Sequence, residues 1–237
     1  MRYQTMWLIR FTSLILKKLL QSKKIKEGKK KIKEDLASLG LNEAIKTPRF
    51  YGLWIMLFIN VTCGIAIIGV ASPLLQEVIG ISAIAAAAAV GLMGIFNGAG
   101  RIVWASLSDY LTRPVVYIIF FFTQAIAFYI LPSITEIVIF QFVLYFIMSC
   151  YGGGFASIPA YIGDIFGTKE LGAIHGYILT AWAAAGLVGP LIISIVKDMT
   201  GSYSQTLYVF AGFFIIAFIV SIAMLFNINS IKNKKNK

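Results

Sequence analysis

The sequence predicts an all-α integral membrane protein with six transmembrane helices, and three observations carry that prediction. Hydrophobic residues make up 59% of the 237 and charged residues only 13%, with a mean hydropathy of +0.83. A soluble domain of this length has no core large enough to hide so much apolar surface. The apolar residues gather in six runs, each about 17 to 27 residues long, enough at ~1.5 Å per residue to cross ~30 Å of hydrocarbon once the helix extends a little past the shortest of them. Sustained period-2 alternation is missing from these runs, which argues against a transmembrane β-barrel. The charge, finally, is collected at the ends of the chain.

Residues 1–49 hold thirteen Lys or Arg against four Asp or Glu, so they carry +9 of the formal +11. Basicity confined to a tail beside a membrane span marks the cytoplasmic side and meets anionic lipid headgroups, so no nucleic-acid partner is expected. Within this tail Trp7 to Leu16 is apolar but short, is interrupted by Arg10 and is followed by Lys17 and Lys18. It lacks a small-residue cleavage site and reads as an interfacial helix or the remnant of an earlier span, not as a signal peptide. Lys17 to Lys33 reads as a solvated tail. Leu36 to Lys46 has apolar residues spaced for one helical face and predicts a surface helix ahead of Pro48.

The spans are expected at Phe50 to Leu75, Ile81 to Leu107, Val115 to Leu131, Ile137 to Ile162, Leu171 to Val196 and Leu207 to Phe226. The expected organisation is therefore a basic tail over 1–49, a six-span body over 50–228 and a basic C-terminal tail over 229–237. With both termini cytoplasmic, the inside turns hold Arg113 and Lys169, the C-terminal tail adds Lys232, Lys234, Lys235 and Lys237, and the outside turns hold only Lys197. That asymmetry favours six spans with both ends inside. Glycine pairs Gly94 and Gly98, and Gly172 and Gly176, have the small-xxx-small spacing of helices in close contact. Gly152, Gly153 and Gly154, with Pro159, are expected to interrupt span 4, either for packing or as a bending point during a transport cycle.

Arg101 is the residue most in need of a reason, because it lies inside the second apolar run. A charge near the bilayer interior faces a bundle interior or a water-filled cavity and marks a substrate or ion path. Its planar five-donor fork matches a carboxylate; the alternative is snorkelling toward the cytoplasmic face, about seven residues away. Asn97 stands one helical turn before it. Asn60, Thr62, Gln124, Gln141 and Tyr151 are the other polar groups within spans, and Tyr145, Tyr161 and Trp182 are aromatics able to wall a cavity or to meet lipid. Asp109 and Arg113 occupy the turn after span 2 and suit a gating role or a solvated turn. His175 has no acidic partner along the spans, and Cys63 and Cys150 have neither metal-ligand nor disulfide spacing. No metal, no cofactor and no enzymatic activity are expected, since no nucleophile with its base and no phosphate loop is found.

From Asn97 to Arg113, and again from Tyr177 to Pro190, the chain resembles the C-terminal half of a major facilitator superfamily transporter, and within it the oxalate/formate antiporter family. The resemblance covers about Thr47 to Asn227. It rests on Asn97-Gly98-Ala99-Gly100-Arg101, on the Ser108-Asp109 turn, and on Thr180-Ala181-Trp182 leading to Gly186 and Gly189-Pro190. The turn resembles the superfamily's loop G-x-L-[AS]-D-x-x-G-R, with Leu107, Ser108, Asp109 and Arg113 in place and Ala105 and Thr112 standing where glycines are usual.

The resemblance implies twelve helices in two six-helix halves, with substrate held between them and exposed alternately to each side of a bacterial inner membrane. It implies that Arg101 is the carboxylate-binding cation; Asn97, Tyr151, Trp182 and Gln124 are the candidate further substrate contacts, and Asp109, Arg113 and Gly152 to Gly154 the candidate gating residues. Relatives that take a dicarboxylate are expected to carry a second cation, a lysine, in span 5. Ala173 to Ile195 has no Lys, so a monocarboxylate such as formate, lactate or pyruvate is favoured over oxalate. The basic tail resembles the loop that joins the halves. A six-span body then calls for a separately encoded N-terminal half or a two-fold homodimer; the alternative is an inactive remnant of a split gene or a membrane assembly protein without transport activity.

Overall fold

The computed structural model describes residue 36 and residues 38–235 of the chain; the expectations for Trp7 to Leu16 and Lys17 to Lys33 lie outside these. The described residues form helices and no strands. Six of the helical segments are long and apolar enough to cross a membrane: span 1 Pro48–Ile79, span 2 Ala83–Leu111, span 3 Arg113–Ser133, span 4 Ile137–Phe166, span 5 Leu171–Thr200 and span 6 Ser204–Asn233. With an even number of spans, span 1 begins and span 6 finishes at the same end of the bundle, called here the tail end.

The helices outrun the apolar segments that announced them. Span 1 starts at Pro48, suited to a first turn by its fixed φ and missing N–H, and stops at Gly80 in the left-handed conformation, φ 66°. Gln76 and Glu77 are thus helical although polar, because the backbone ladder continues past the last apolar residue. The Ser82 hydroxyl caps span 2 by accepting from Ala85 N, and the Glu136 carboxylate caps span 4 by accepting from Val138 N at 3.1 Å. Span 5 is two helices, Leu171–Ile178 and Thr180–Thr200, interrupted at Leu179.

Two expectations are corrected. The surface helix over Leu36 to Lys46 is a single turn, Leu41–Ala44. Before it, at the tail end of span 4, Leu36 N donates to Asp164 O and Leu39 N to Phe166 O, satisfying carbonyls that a helix end leaves open. Span 4, expected to break at Gly152 to Gly154, is one continuous helix through them. A Cβ at Gly152 or Gly153 would collide with the Asn97 carbonyl oxygen or with Trp104 of span 2, and one at Gly100 with the Ser149 backbone of span 4. Missing side chains let the two backbones touch there, with the ladder intact.

Spans 1 and 4 form the centre of the bundle, spans 2 and 4 pack together, as do 1 and 5, and 3 and 6. Aromatic side chains fill the 3/6 seam, with Phe128 and Phe214 stacked at 5.2 Å, a packing that supplies dispersion where lipid removes any hydrophobic drive between helices. In the apolar windows of spans 1 and 4, 61% and 50% of residues are buried, against 22% and 28% in spans 2 and 5. One face of spans 2 and 5 is therefore open. Gly94, Gly98, Gly172 and Gly176 lie on that open surface, with nothing within 4 Å of where a Cβ would stand. Their expected helix contacts are not made among the described residues.

Candidate functional site

Arg101 projects from span 2 at its crossing with span 4. The crossing is clamped by the small residues described above and by the Trp104 indole, whose N–H donates to Ser149 Oγ at 3.2 Å. Asn97, one turn before Arg101, donates to Met148 O at 3.4 Å and offers its Oδ1 to an Arg101 amino group at 3.5 Å. The amide ties span 2 to span 4 and aims the guanidinium away from the packed side. The Arg101 guanidinium carbon stands 5.9 Å from the centroid of the Phe155 ring, within cation–π range. Phe155 in turn meets Trp182 of span 5 edge to face, at 5.9 Å.

Tyr151 lies one turn before Phe155 on span 4. Its ring covers Gly64 of span 1, where a Cβ would come within 2.5 Å of the ring, and its carbonyl accepts from Asn60 Nδ2 at 3.1 Å. Spans 1, 2, 4 and 5 thus contribute to one aromatic-walled surface around a single cation. Arg101, Asn97, Tyr151 and Trp182 come together there. Gln124 does not join them: it is buried on span 3, 1% exposed, and its amide nitrogen has no hydrogen-bond partner among the described residues.

Phe155, which joins Arg101 to Trp182, was not singled out from the sequence, because one phenylalanine among eighteen carries no local mark. Trp54 was not singled out either, and Thr180 entered only through the Thr180-Ala181-Trp182 stretch of the resemblance. The Trp54 indole N–H donates to Thr180 Oγ1 at 2.9 Å, and that hydroxyl donates to Tyr177 O at 2.7 Å. The pair straps span 1 to the interruption of span 5, two residues before Trp182.

At the tail end, Arg113 is 7% exposed and surrounded by acceptors. One amino group bonds Ser108 Oγ at 2.7 Å, another meets Asp109 Oδ1 at 2.9 Å, and Nε lies 2.7 Å from Asp164 Oδ2. Asp164 comes from the end of span 4, so the cluster joins spans 2, 3 and 4. Sequence reading found Asp109 and Arg113 but not Asp164, whose only signal was an acid in the last turn of an apolar run. Thr112, between the two spans, is held at φ 75° and ψ 146°, a conformation open almost exclusively to glycine.

This geometry can hold a small anion: one permanent cation, poorly hydrated, against aromatic faces on a surface shared by four spans. The Major Facilitator Superfamily model matches residues 7–159 and 53–237, together nearly the whole chain. The chain belongs to the Major Facilitator Superfamily. Within this superfamily of membrane transporters it is 28% identical over 149 residues to the oxalate:formate antiporter of Oxalobacter formigenes, a match covering 62% of this chain and 35% of that one. It is also 26% identical over 142 residues to the uncharacterised MFS-type transporter YhjX of Escherichia coli, covering 58% and 35%. The matches span about a third of each relative's length. As a superfamily member the chain is an integral membrane protein, and the match to the oxalate:formate antiporter agrees with the family resemblance read from its sequence.

Proposed function

We propose that this chain forms the C-terminal six-helix half of a small-carboxylate transporter that works by alternating access, with Arg101 as the substrate's counter-ion. The observation that carries the reading is Arg101 against Phe155, which in turn meets Trp182, on the sparsely buried spans 2 and 5. A guanidinium left against lipid is costly, so the open face of these spans fits a second six-helix body, with the anion between the two. Gly94, Gly98, Gly172 and Gly176, free of neighbours, allow its backbone to approach closely. The second body is an N-terminal half joined through the basic tail or encoded separately.

A monocarboxylate such as formate, lactate or pyruvate fits better than oxalate. The site holds one cation, and the single lysine of span 5, Lys197, is tied to Glu77 at the far end of the bundle. Exchange of small carboxylates is supported by the likeness to the Oxalobacter relative, an oxalate:formate antiporter. Both basic tails suit the cytoplasmic face of a bacterial inner membrane, where they meet anionic lipid. Asp109, Arg113 and Gly152 to Gly154 then belong to the tail-end gate and to the helix crossing on which it moves.

The test is uptake of labelled formate, lactate and oxalate into vesicles carrying the protein with its partner half. Arg101→Ala is expected to abolish monocarboxylate uptake, and Arg101→Lys to keep the charge but raise KM about tenfold through loss of the bidentate fork. Uptake unchanged in Arg101→Ala sinks the counter-ion role. Vesicles that insert the protein yet take up no carboxylate favour the second reading, a membrane assembly protein without transport activity.

A further inference from the structure

At the far end, span 1 is not one rigid rod. Val70 leaves helical geometry at φ −121° and ψ 15°. Pro73, inside the helix, has no N–H to give Gly69 O and its ring crowds that carbonyl. Just below the kink spans 1 and 5 touch: a Cβ at Gly189 would lie 2.7 Å from Thr62 O and 3.3 Å from Ala66 Cβ. Above it they part around a cavity of about 340 Å³ that is partly open to the surface, lined among others by Ala66, Gly69, Val70, Pro190, Ile193 and Ser194.

The far tips meet again over this cavity. Glu77, in the last turn of span 1, pairs with Lys197 in the last turn of span 5, and its other oxygen accepts from Tyr203 N at 3.0 Å. Lys197 Nζ also donates to Gly201 O at 2.8 Å and stands 4.3 Å from the centroid of the Tyr203 ring. One carboxylate thereby fastens the tip of span 1 to span 5 and to the turn entering span 6.

We propose that residues 71–79 form a hinged lever, with Val70 as hinge, the Gly189 contact as fulcrum and Glu77 with Lys197 and Tyr203 as latch. Releasing the latch swings the tip away and uncovers the buried wall of the cavity at Ile193, and re-pairing covers it again. The lever works within this one six-span body and depends neither on the identity of the substrate nor on the role of Arg101.

The test uses the full chain in lipid nanodiscs, with Cys63→Ala and with Ile193→Cys as reporter, since Ile193 lines the cavity and is 4% exposed. Glu77→Gln and, separately, Lys197→Met are each expected to raise its rate of maleimide labelling about threefold or more, the scale of losing a partly exposed ion pair. Pro73→Ala, which restores a backbone donor at the hinge, is expected to suppress most of that rise. Unchanged labelling in both latch variants overturns the lever, as does a rise that Pro73→Ala leaves intact. Native Cys150, fully buried in span 4, reports general loosening, and an equal rise there also overturns it.

Discussion

Arg113 at the start of span 3 and Asp164 at the end of span 4 share an ion pair of 2.7 Å, fifty-one positions apart. The same guanidinium holds Asp109 and Ser108 of span 2, so one side chain knots three spans at the tail end. Asp164 is also the residue whose carbonyl accepts from Leu36 N. The segment leading out of the basic tail and the ionic knot therefore rest on one helix end.

Asp164→Asn removes the formal charge at Nε and leaves Arg113 with Asp109 as its acidic partner. Truncating a partner of a fully buried pair costs ~3–5 kcal/mol. Asp164 is 37% exposed while Arg113 is 8% exposed in its side chain, so the expected loss is smaller, about 1–3 kcal/mol. Thermal unfolding in detergent measures it, with Asp164→Glu expected to recover part. A midpoint equal to the parent's would show that the pair adds nothing to stability.

Thr112→Gly should stabilise the protein. At φ 75° a β-branched residue stores ~1–3 kcal/mol of backbone strain, and glycine removes most of it at an unfolded-state entropy cost of ~0.4–1 kcal/mol. The net expectation is a gain of about 1 kcal/mol, read as a higher unfolding midpoint. Thr112→Ala keeps the Cβ and should gain little, which separates strain from loss of the hydroxyl.

Glycines of the two kinds should behave oppositely. Gly153→Ala drives a methyl into Trp104 and is expected to cost about 1–3 kcal/mol by overpacking, as is Gly152→Ala. Gly98→Ala, with open space around it, should leave the stability of the six-span body within ~0.5 kcal/mol. If the open face receives a second six-helix body, Gly98→Leu will weaken co-purification of the two halves without lowering the melting point of this one. Unaltered co-purification would mean that span 2 docks elsewhere.

Much of the fold was legible because lipid makes secondary structure a matter of composition: a long apolar run must satisfy its own backbone, and helix is the way a single segment does so. Arg101 and Asn97 were legible for a related reason, as polar groups where polarity is expensive. The glycines were harder to read. Gly94 and Gly98 have contact spacing and make no contact among the described residues, while Gly100 and Gly152 sit at the true crossing; the spacing states which residues share a helix face, and the neighbouring helix decides whether that face is used.

By itself, then, the sequence determined six spans, their order, the end that carries the basic tails, and one misplaced cation, since each follows from hydropathy and charge summed along the chain. Only the tertiary structure decided that Phe155 connects Arg101 to Trp182, that Asp164 completes the knot on Arg113 and that Glu77 finds Lys197. Those pairs join different helices. Their distances depend on how far each helix is rotated and tilted against the next, and that is set by the packing of small and aromatic side chains across the whole bundle.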